Sequence, residues 1–303
     1  MLLGRFEEAW RVSDRLIAHG CPDPNRLWDG RPFAGKSVTI RCLHGFGDAI
    51  QFVRYARLIR REAAAVTVQT HPELLGLFSQ VPFIDRAITW NQKSIEHDPA
   101  LTQQIEVMEL PRAFRTTLDS IPAGVPYLAA SRAASTRQWP GSTRPRVGIL
   151  WQSGAWDERR NASLADLRPL LQNRDVEFYS FQRGPGRDEL LSAGYAAHVY
   201  DLSGDSPNVL HFAADLTQMD LLVTVDTMAA HLAGALARPV WVLLQRQADW
   251  RWMLDRSDSP WYPTMRLFRQ HRQGEWAWPI RRICEELREF AVRFKLPPQS
   301  RTA

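Results

Sequence analysis

The stretch Val223-Thr224-Val225-Asp226-Thr227-Met228-Ala229-Ala230-His231-Leu232-Ala233-Gly234-Ala235 contains the change of period that decides the fold. Up to Val225 the residues are apolar or β-branched, as in a strand buried on both faces. After Asp226 and Thr227 small residues take over, and small side chains let a helix pack closely on a sheet. A buried strand that runs straight into such a helix is half of a βαβ unit.

The same alternation extends in both directions. Towards the C-terminus a strand is expected at 240–244 and a closing helix at 279–294. Towards the N-terminus strands are expected at 198–201, 176–181 and 146–151, with helices at 207–216 and 164–171 and the 229–237 helix following the strand at 221–225. A polar stretch at 131–144, rich in Ser, Thr, Arg and Pro, interrupts the pattern and reads as a linker. Before it the alternation repeats, with strands at 37–42, 65–69, 84–89 and 105–108 and helices at 48–61 and 72–79. An amphipathic helix at 5–19 carries Phe6, Ala9, Trp10, Leu16 and Ile17 at helical spacing. The expected fold class is therefore α/β, with two Rossmann-like domains facing each other across a cleft. Their bounds are 31–135 and 146–278, joined by a linker at 136–145. An N-terminal helical segment (1–30) precedes them, and a helix and tail (279–303) are expected to return to the first domain. Ligands of such sheets sit at the carboxyl ends of the strands.

The chain has 303 residues, of which 45% are hydrophobic and 23% charged, the balance of a soluble globular protein. Arg5, Glu7 and Glu8 break any signal-peptide core, and no run approaches the roughly 20 apolar residues of a membrane span. A cytoplasmic protein is expected, with peripheral membrane contact left open. Cys21, Cys42 and Cys284 form no CxxC pair, so neither a disulfide framework nor a zinc site is expected. The net charge of +5 is scattered, and without a basic stripe nucleic acid is not an expected partner.

Three stretches can carry chemistry. In Leu43-His44-Gly45-Phe46-Gly47-Asp48 a strand ends, Gly45 and Gly47 allow a tight turn, and a helix begins near Asp48. Asp48 is either a helix cap or a general base. The opening stretch offers a diphosphate cradle at its helix start from Asp226, Thr227 and Met228, with His231 about one turn on. Simple caps and a core histidine are the alternative reading. The third stretch, Trp151-Gln152-Ser153-Gly154, leads to Arg159 and Arg160, which can meet a leaving phosphate or lie in a solvated loop. Gln182, after the next strand, falls on the same edge. The chain has no Asp-x-Asp triplet to hold Mg²⁺ or Mn²⁺, no GxSxG elbow and no GxxxxGK[ST] loop. No metal and no cofactor are expected, so the charge on a leaving diphosphate falls to amides, arginines and a helix dipole.

These motifs resemble the glycosyltransferase domain that accompanies tetratricopeptide repeats in bacteria, related to the ADP-heptose:lipopolysaccharide heptosyltransferases of glycosyltransferase family 9. The resemblance rests on residues 45–55, 126–128 and 147–151, on 225–236 above all, and on 249–252 and 259–270. The opening helix, with Leu3-Gly4-Arg5-Phe6-Glu7-Glu8-Ala9, resembles the end of one repeat, and it is expected to pack against the first domain. The resemblance implies the GT-B fold and a metal-independent, inverting transfer from a nucleotide-diphosphate sugar to a glycan, lipopolysaccharide or protein hydroxyl. It makes Asp48 the base, with His44 a rival where related chains often have an acid or amide. It places Gly45, Gly47, Trp151, Arg159, Arg160, Gln182, Asp226, Thr227, Met228 and His231 around the donor. Arginine stands where heptosyltransferases use a lysine. The alternatives are a non-catalytic binding or scaffold protein of the same fold and a nucleotide-sugar epimerase.

Overall fold

In the computed structural model, the described residues are 1–20, 27–91, 102–131, 134–135, 137–139, 141–154, 156–195, 198–204 and 208–295. Cys21, parts of the expected linker, the first residue of the 207–216 helix and the tail beyond 295 lie outside them. The chain divides into two compact units, Met1–Ala129 and Ala130–Ala303.

The first unit holds the parallel strands β1 (Ser37–Arg41), β2 (Ala65–Thr70), β3 (Arg86–Thr89) and β4 (Thr102–Glu106), in the order β3-β2-β1-β4. Helices α1 (Phe6–Ala18), α2 (Phe46–Phe52), α3 (Ala56–Ile59), α4 (Pro72–Phe78) and α5 (Leu110–Ala113) accompany them. As expected, α1 packs on this unit. It buries Phe6 and Trp10, and the Trp10 indole donates to the Thr116 carbonyl at 2.7 Å. Asp14 holds Arg112 and Arg115 at 3.0 and 2.6 Å.

Two elements differ from expectation for local reasons. The helix expected at 48–61 is broken into α2, a 3₁₀ turn (Val53–Tyr55) and α3. Nε of the buried Arg54 donates to the Gln51 carbonyl at 2.7 Å and competes for the acceptor of a regular turn. The strand expected at 105–108 instead ends at Glu106. There the Glu106 carboxylate accepts from the Met108 amide at 2.5 Å, and the Glu109 carboxylate accepts from the Glu106 amide at 3.1 Å, turning the chain.

The second unit has six parallel strands: β5 (Arg146–Leu150), β6 (Glu177–Ser180), β7 (Val199–Asp201), β8 (Leu221–Val225), β9 (Val240–Leu244) and β10 (Met265–Arg269). Their order, β10-β9-β8-β5-β6-β7, is the doubly wound Rossmann order. Among the described residues the helices here are α6 (Leu164–Leu171), α7 (Pro185–Ser192), α8 (Val209–Leu216), α9 (Met228–Ala235) and α10 (Ala277–Lys295). Both β8 and β9 are buried at every residue, as their unbroken apolar runs require. The edge strand β10 was not foreseen, because its apolar residues alternate with Arg266 and Arg269. Nor was α7, which starts at Pro185 after Gly184 with φ +64°.

The described residues of the polar stretch expected as a linker pack on the second unit. Trp139 packs on Tyr179 with ring centres 5.4 Å apart, and the Ser135 hydroxyl donates to Asp215 at 2.7 Å. The closing helix α10 packs within the second unit. Its Ile280, Ile283, Leu287 and Ala291 join the core of the second, among Leu167, Leu170 and Trp241.

Close packing of α9 explains its run of small residues. A Cβ at Gly234 would lie 2.5 Å from Cδ1 of Tyr262 and 2.6 Å from Cε of Met265, and Tyr262 is fully buried. Gly234→Ala is therefore expected to destabilise the second unit by about 1–3 kcal/mol, read as a lower urea midpoint with an unchanged m-value.

Candidate functional site

The order of the second sheet changes direction between β5 and β8, which pair from Val147 with Leu221 to Leu150 with Thr224. Each strand leads into its own loop there, which opens a crevice at the carboxyl edge. Thr227 is the N-cap residue of α9, yet its side chain makes no capping bond. Its hydroxyl lies instead 3.1 Å from that of Thr224. The first amides of α9 therefore keep the unmet donor capacity of a helix start, with half-buried Met228 at its head.

Asp226 is 8% exposed. Burial pushes its carboxyl above the ordinary value, opposed by the Trp252 indole and by the charges of Arg160 and Arg251, with Asp249 adding to the push. The two arginines of the 151–161 loop part company. Arg160 donates from Nη1 to the Asp226 carbonyl at 3.2 Å, which places its guanidinium beside the start of α9. Arg159 turns to Asp157, with bonds of 2.8 and 3.1 Å, and its side chain is 62% exposed. That contact holds the Asp157 carboxyl down at about 2, against a smaller opposing effect of burial. Only Arg160 is brought to the crevice among these two.

Gln182 and Trp151 shape the loop from within. Oε1 of Gln182 accepts from the amides of Trp151 and Gln152 at 3.0 and 2.9 Å, and its Nε2 donates to the Arg183 carbonyl at 3.0 Å. Trp151 is fully buried in the core. Asn161, which sequence reasoning missed, accepts from the Ser153 amide and hydroxyl at 2.7 and 2.9 Å. A capping-type residue after two arginines is the signal that could have found it. His231 is buried, with Nδ1 3.1 Å from the Tyr262 hydroxyl and its ring stacked on Trp252.

In the first unit, α2 starts at Phe46, so Gly47 lies in its first turn and Gly45 is the N-cap residue, in extended conformation. Oδ2 of Asp48 accepts from the Gly45 amide at 3.2 Å, the reciprocal half of a capping box. His44 precedes this start, and its Nε2 lies 3.8 Å from Oε2 of Glu106. Glu106 is the other residue that sequence reasoning missed. Its signal was an acid set between Ile105 and Val107 at a strand end. Burial drives its carboxyl up to about 7, and the charge of Glu109 raises it further, while the amides of Met108, Leu43 and Val107 oppose this. Among the described residues no three His, Cys, Asp or Glu side chains gather as metal ligands do. Nor is any described helix long and apolar enough to cross a membrane.

Two Rossmann-like units, each with a switch in its strand order, define the GT-B fold. Comparison with known proteins agrees. The chain aligns with the family 9 glycosyltransferase of Veillonella parvula at TM-score 0.63 and 11% identity, covering 86% of this chain and 99% of that one. The ADP-heptose lipopolysaccharide heptosyltransferase II of E. coli gives 0.61 at 15% identity, covering 86% of this chain and 100% of that one. E. coli heptosyltransferase WaaC, solved with an ADP-linked fluoroheptose, gives 0.57 at 12%, covering 84% and 99%. In sequence, the chain is 25% identical to protein FlbA of Caulobacter vibrioides, over 96% of this chain and 54% of FlbA. It thus spans about half the length of that relative. No family model matches the chain.

The raised Glu106 carboxyl has a thermodynamic consequence. Its folded value of about 7 exceeds the ordinary 4.5 of the unfolded chain. The stability it contributes is therefore complete below about pH 4.5 and is lost as pH rises through 7. Wild type should lose stability relative to Glu106→Gln by an amount on the order of 3 kcal/mol between pH 5 and 8. Urea unfolding of both proteins across that range measures the difference.

Proposed function

We propose that the protein is an inverting glycosyltransferase that needs no metal and moves a sugar from a nucleoside-diphosphate donor to a hydroxyl of a glycan, lipopolysaccharide or protein. One observation carries this reading. At the switch point of the second sheet, an uncapped helix start and a guanidinium stand together, where Arg160 meets the Asp226 carbonyl. That arrangement suits the charge that develops on a leaving diphosphate. The family 9 structures that share the fold include two of WaaC, with ADP and with an ADP-sugar, which makes an adenine donor the first to try.

In this reading the second unit binds the donor. The amides of Thr227 and Met228 and the guanidinium of Arg160 take the diphosphate. Asp226 and Gln182 hold the loops in place, and Trp151, Arg159 and His231 act by supporting their neighbours. The first unit binds the acceptor at the head of α2, where Gly45 and Gly47 allow close approach and Asp48 or His44 takes the hydroxyl proton. The acceptor oxygen attacks the anomeric carbon from the face opposite the nucleotide, and the bond to the diphosphate breaks with its electron pair on phosphate oxygen.

The test is thermal unfolding of the full chain with ADP, UDP, GDP and CMP and their sugar conjugates, with and without EDTA. One nucleotide at a hundred times its Kd should stabilise the fold by about 2.7 kcal/mol, equally with EDTA. Arg160→Gln should weaken that nucleotide roughly 10- to 100-fold, the worth of a charge-assisted hydrogen bond. If no nucleotide shifts the transition of the folded protein, the transferase reading falls. Binding without turnover of any sugar conjugate favours the scaffold.

A further inference from the structure

The first unit repeats, on a smaller scale, the switch of the second, with β1 and β4 side by side and their carboxyl ends together. His44 lies just beyond β1, and Glu106 is the last residue of β4. The Glu106 side chain is completely buried, whereas that of His44 is 33% exposed. The carboxylate is fixed from both strand ends, accepting from the Leu43 amide at 3.4 Å and the Met108 amide at 2.5 Å. Among the described residues no Lys or Arg lies within ion-pair distance of Glu106, and His44 does. A buried acid behind a half-exposed imidazole is the arrangement that orients a general base and stabilises the cation it becomes.

Resting on the transferase reading, we propose that His44 and Glu106 act as one carboxylate–imidazole pair, in which His44 takes the acceptor proton and Glu106 is its positioning residue. Nε2 is on the Glu106 side of the ring, and in the proposed pair it carries the proton while Nδ1 presents its lone pair. The acceptor O–H bond breaks and its proton moves to Nδ1. The oxygen forms the new bond to the anomeric carbon, and the old bond leaves its electron pair on the nucleoside diphosphate. The Glu106 carboxylate then neutralises the imidazolium. Asp48 has a separate place, closing the start of α2 through the Gly45 amide. Three other titratable groups surround the pair. Glu109 stands in the turn after β4 and Asp48 on α2. Cys42 lies at the end of β1, its thiol pushed up by burial and then by the charges of Glu106 and Asp48.

The pair is tested in the full chain with Glu106→Gln, Glu106→Asp, His44→Gln and Asp48→Asn. NMR of the His44 ring reads the pairing without any reaction, and Glu106→Gln should move the His44 imidazole resonances while those of His231, in the second unit, stay in place. Turnover is read as nucleoside diphosphate released from the donor found by thermal unfolding, with glycerol as acceptor. Glu106→Gln and His44→Gln should each cut kcat about 100-fold and leave the donor KM in place. Together they should cost no more than either alone. Glu106→Asp should restore part of the rate and of the acid limb of the pH profile, which a packing role would not do. Unmoved His44 ring resonances overturn the pair, as does an acid limb that survives His44→Gln and vanishes with Asp48→Asn. A wild-type chain that binds nucleotide but moves no sugar removes the transferase reading and His44 as base with it. The ring resonances still decide whether the two side chains are coupled.

Discussion

The structure depends on one strand pairing, that of β5 with β8. These strands are brought together although β6 and β7 lie between them in the chain, with Val147 beside Leu221 and Leu150 beside Thr224. Their register places the ends of both strands level, so that the loop from Trp151 and the turn at Asp226 meet. Space for that meeting comes from a missing side chain. A Cβ at Gly148 would lie 2.9 Å from Phe181 and 3.1 Å from Leu222. Parallel strands so joined need cover on both faces, and α9 supplies part of it only because its residues are small. The helix start that suits a phosphate is thus a by-product of how the sheet is covered.

Much of this architecture was legible in the chain. Buried parallel strands announce themselves by unbroken apolar runs, which is why 221–225 and 240–244 match the structure residue for residue. Helix 164–171 was equally plain, because Ser163 and Asp166 close its start reciprocally. Less legible were elements whose limits depend on tertiary contacts. The break after Phe52 follows from a buried Arg54 held by the Tyr127 hydroxyl and the Pro122 carbonyl, both far along the chain. Strand β10 lies at a sheet edge, where arginines can face outwards and the apolar signal thins.

For the candidate sites the difference is one of distance in sequence. Motif reading found residues that follow a strand at fixed spacing, so Asp226, Thr227 and the 159–160 pair stood out. It could not tell which arginine turns inwards, because Asp157 and the Asp226 carbonyl decide that in space. Nor could it bring His44, just beyond β1, near Glu106 at the end of β4, with two strands between them in the chain. Family resemblance pointed to the same loops, and their hydrogen bonds divide them into groups that face a crevice and groups that hold the loops still.

The helix α10 carries a consequence for how the chain is made. Residues of the first unit find their partners before position 130, so that unit can close while the ribosome is still at work. In the second unit, Ile283, Leu287 and Ala291 complete the core that Val147 and Ile149 begin. Leu167 and Leu170 of α6 share that core, so it is closed only when α10 has joined them. The second unit therefore waits for α10 to complete its core, whereas the residues of the first unit are already all present.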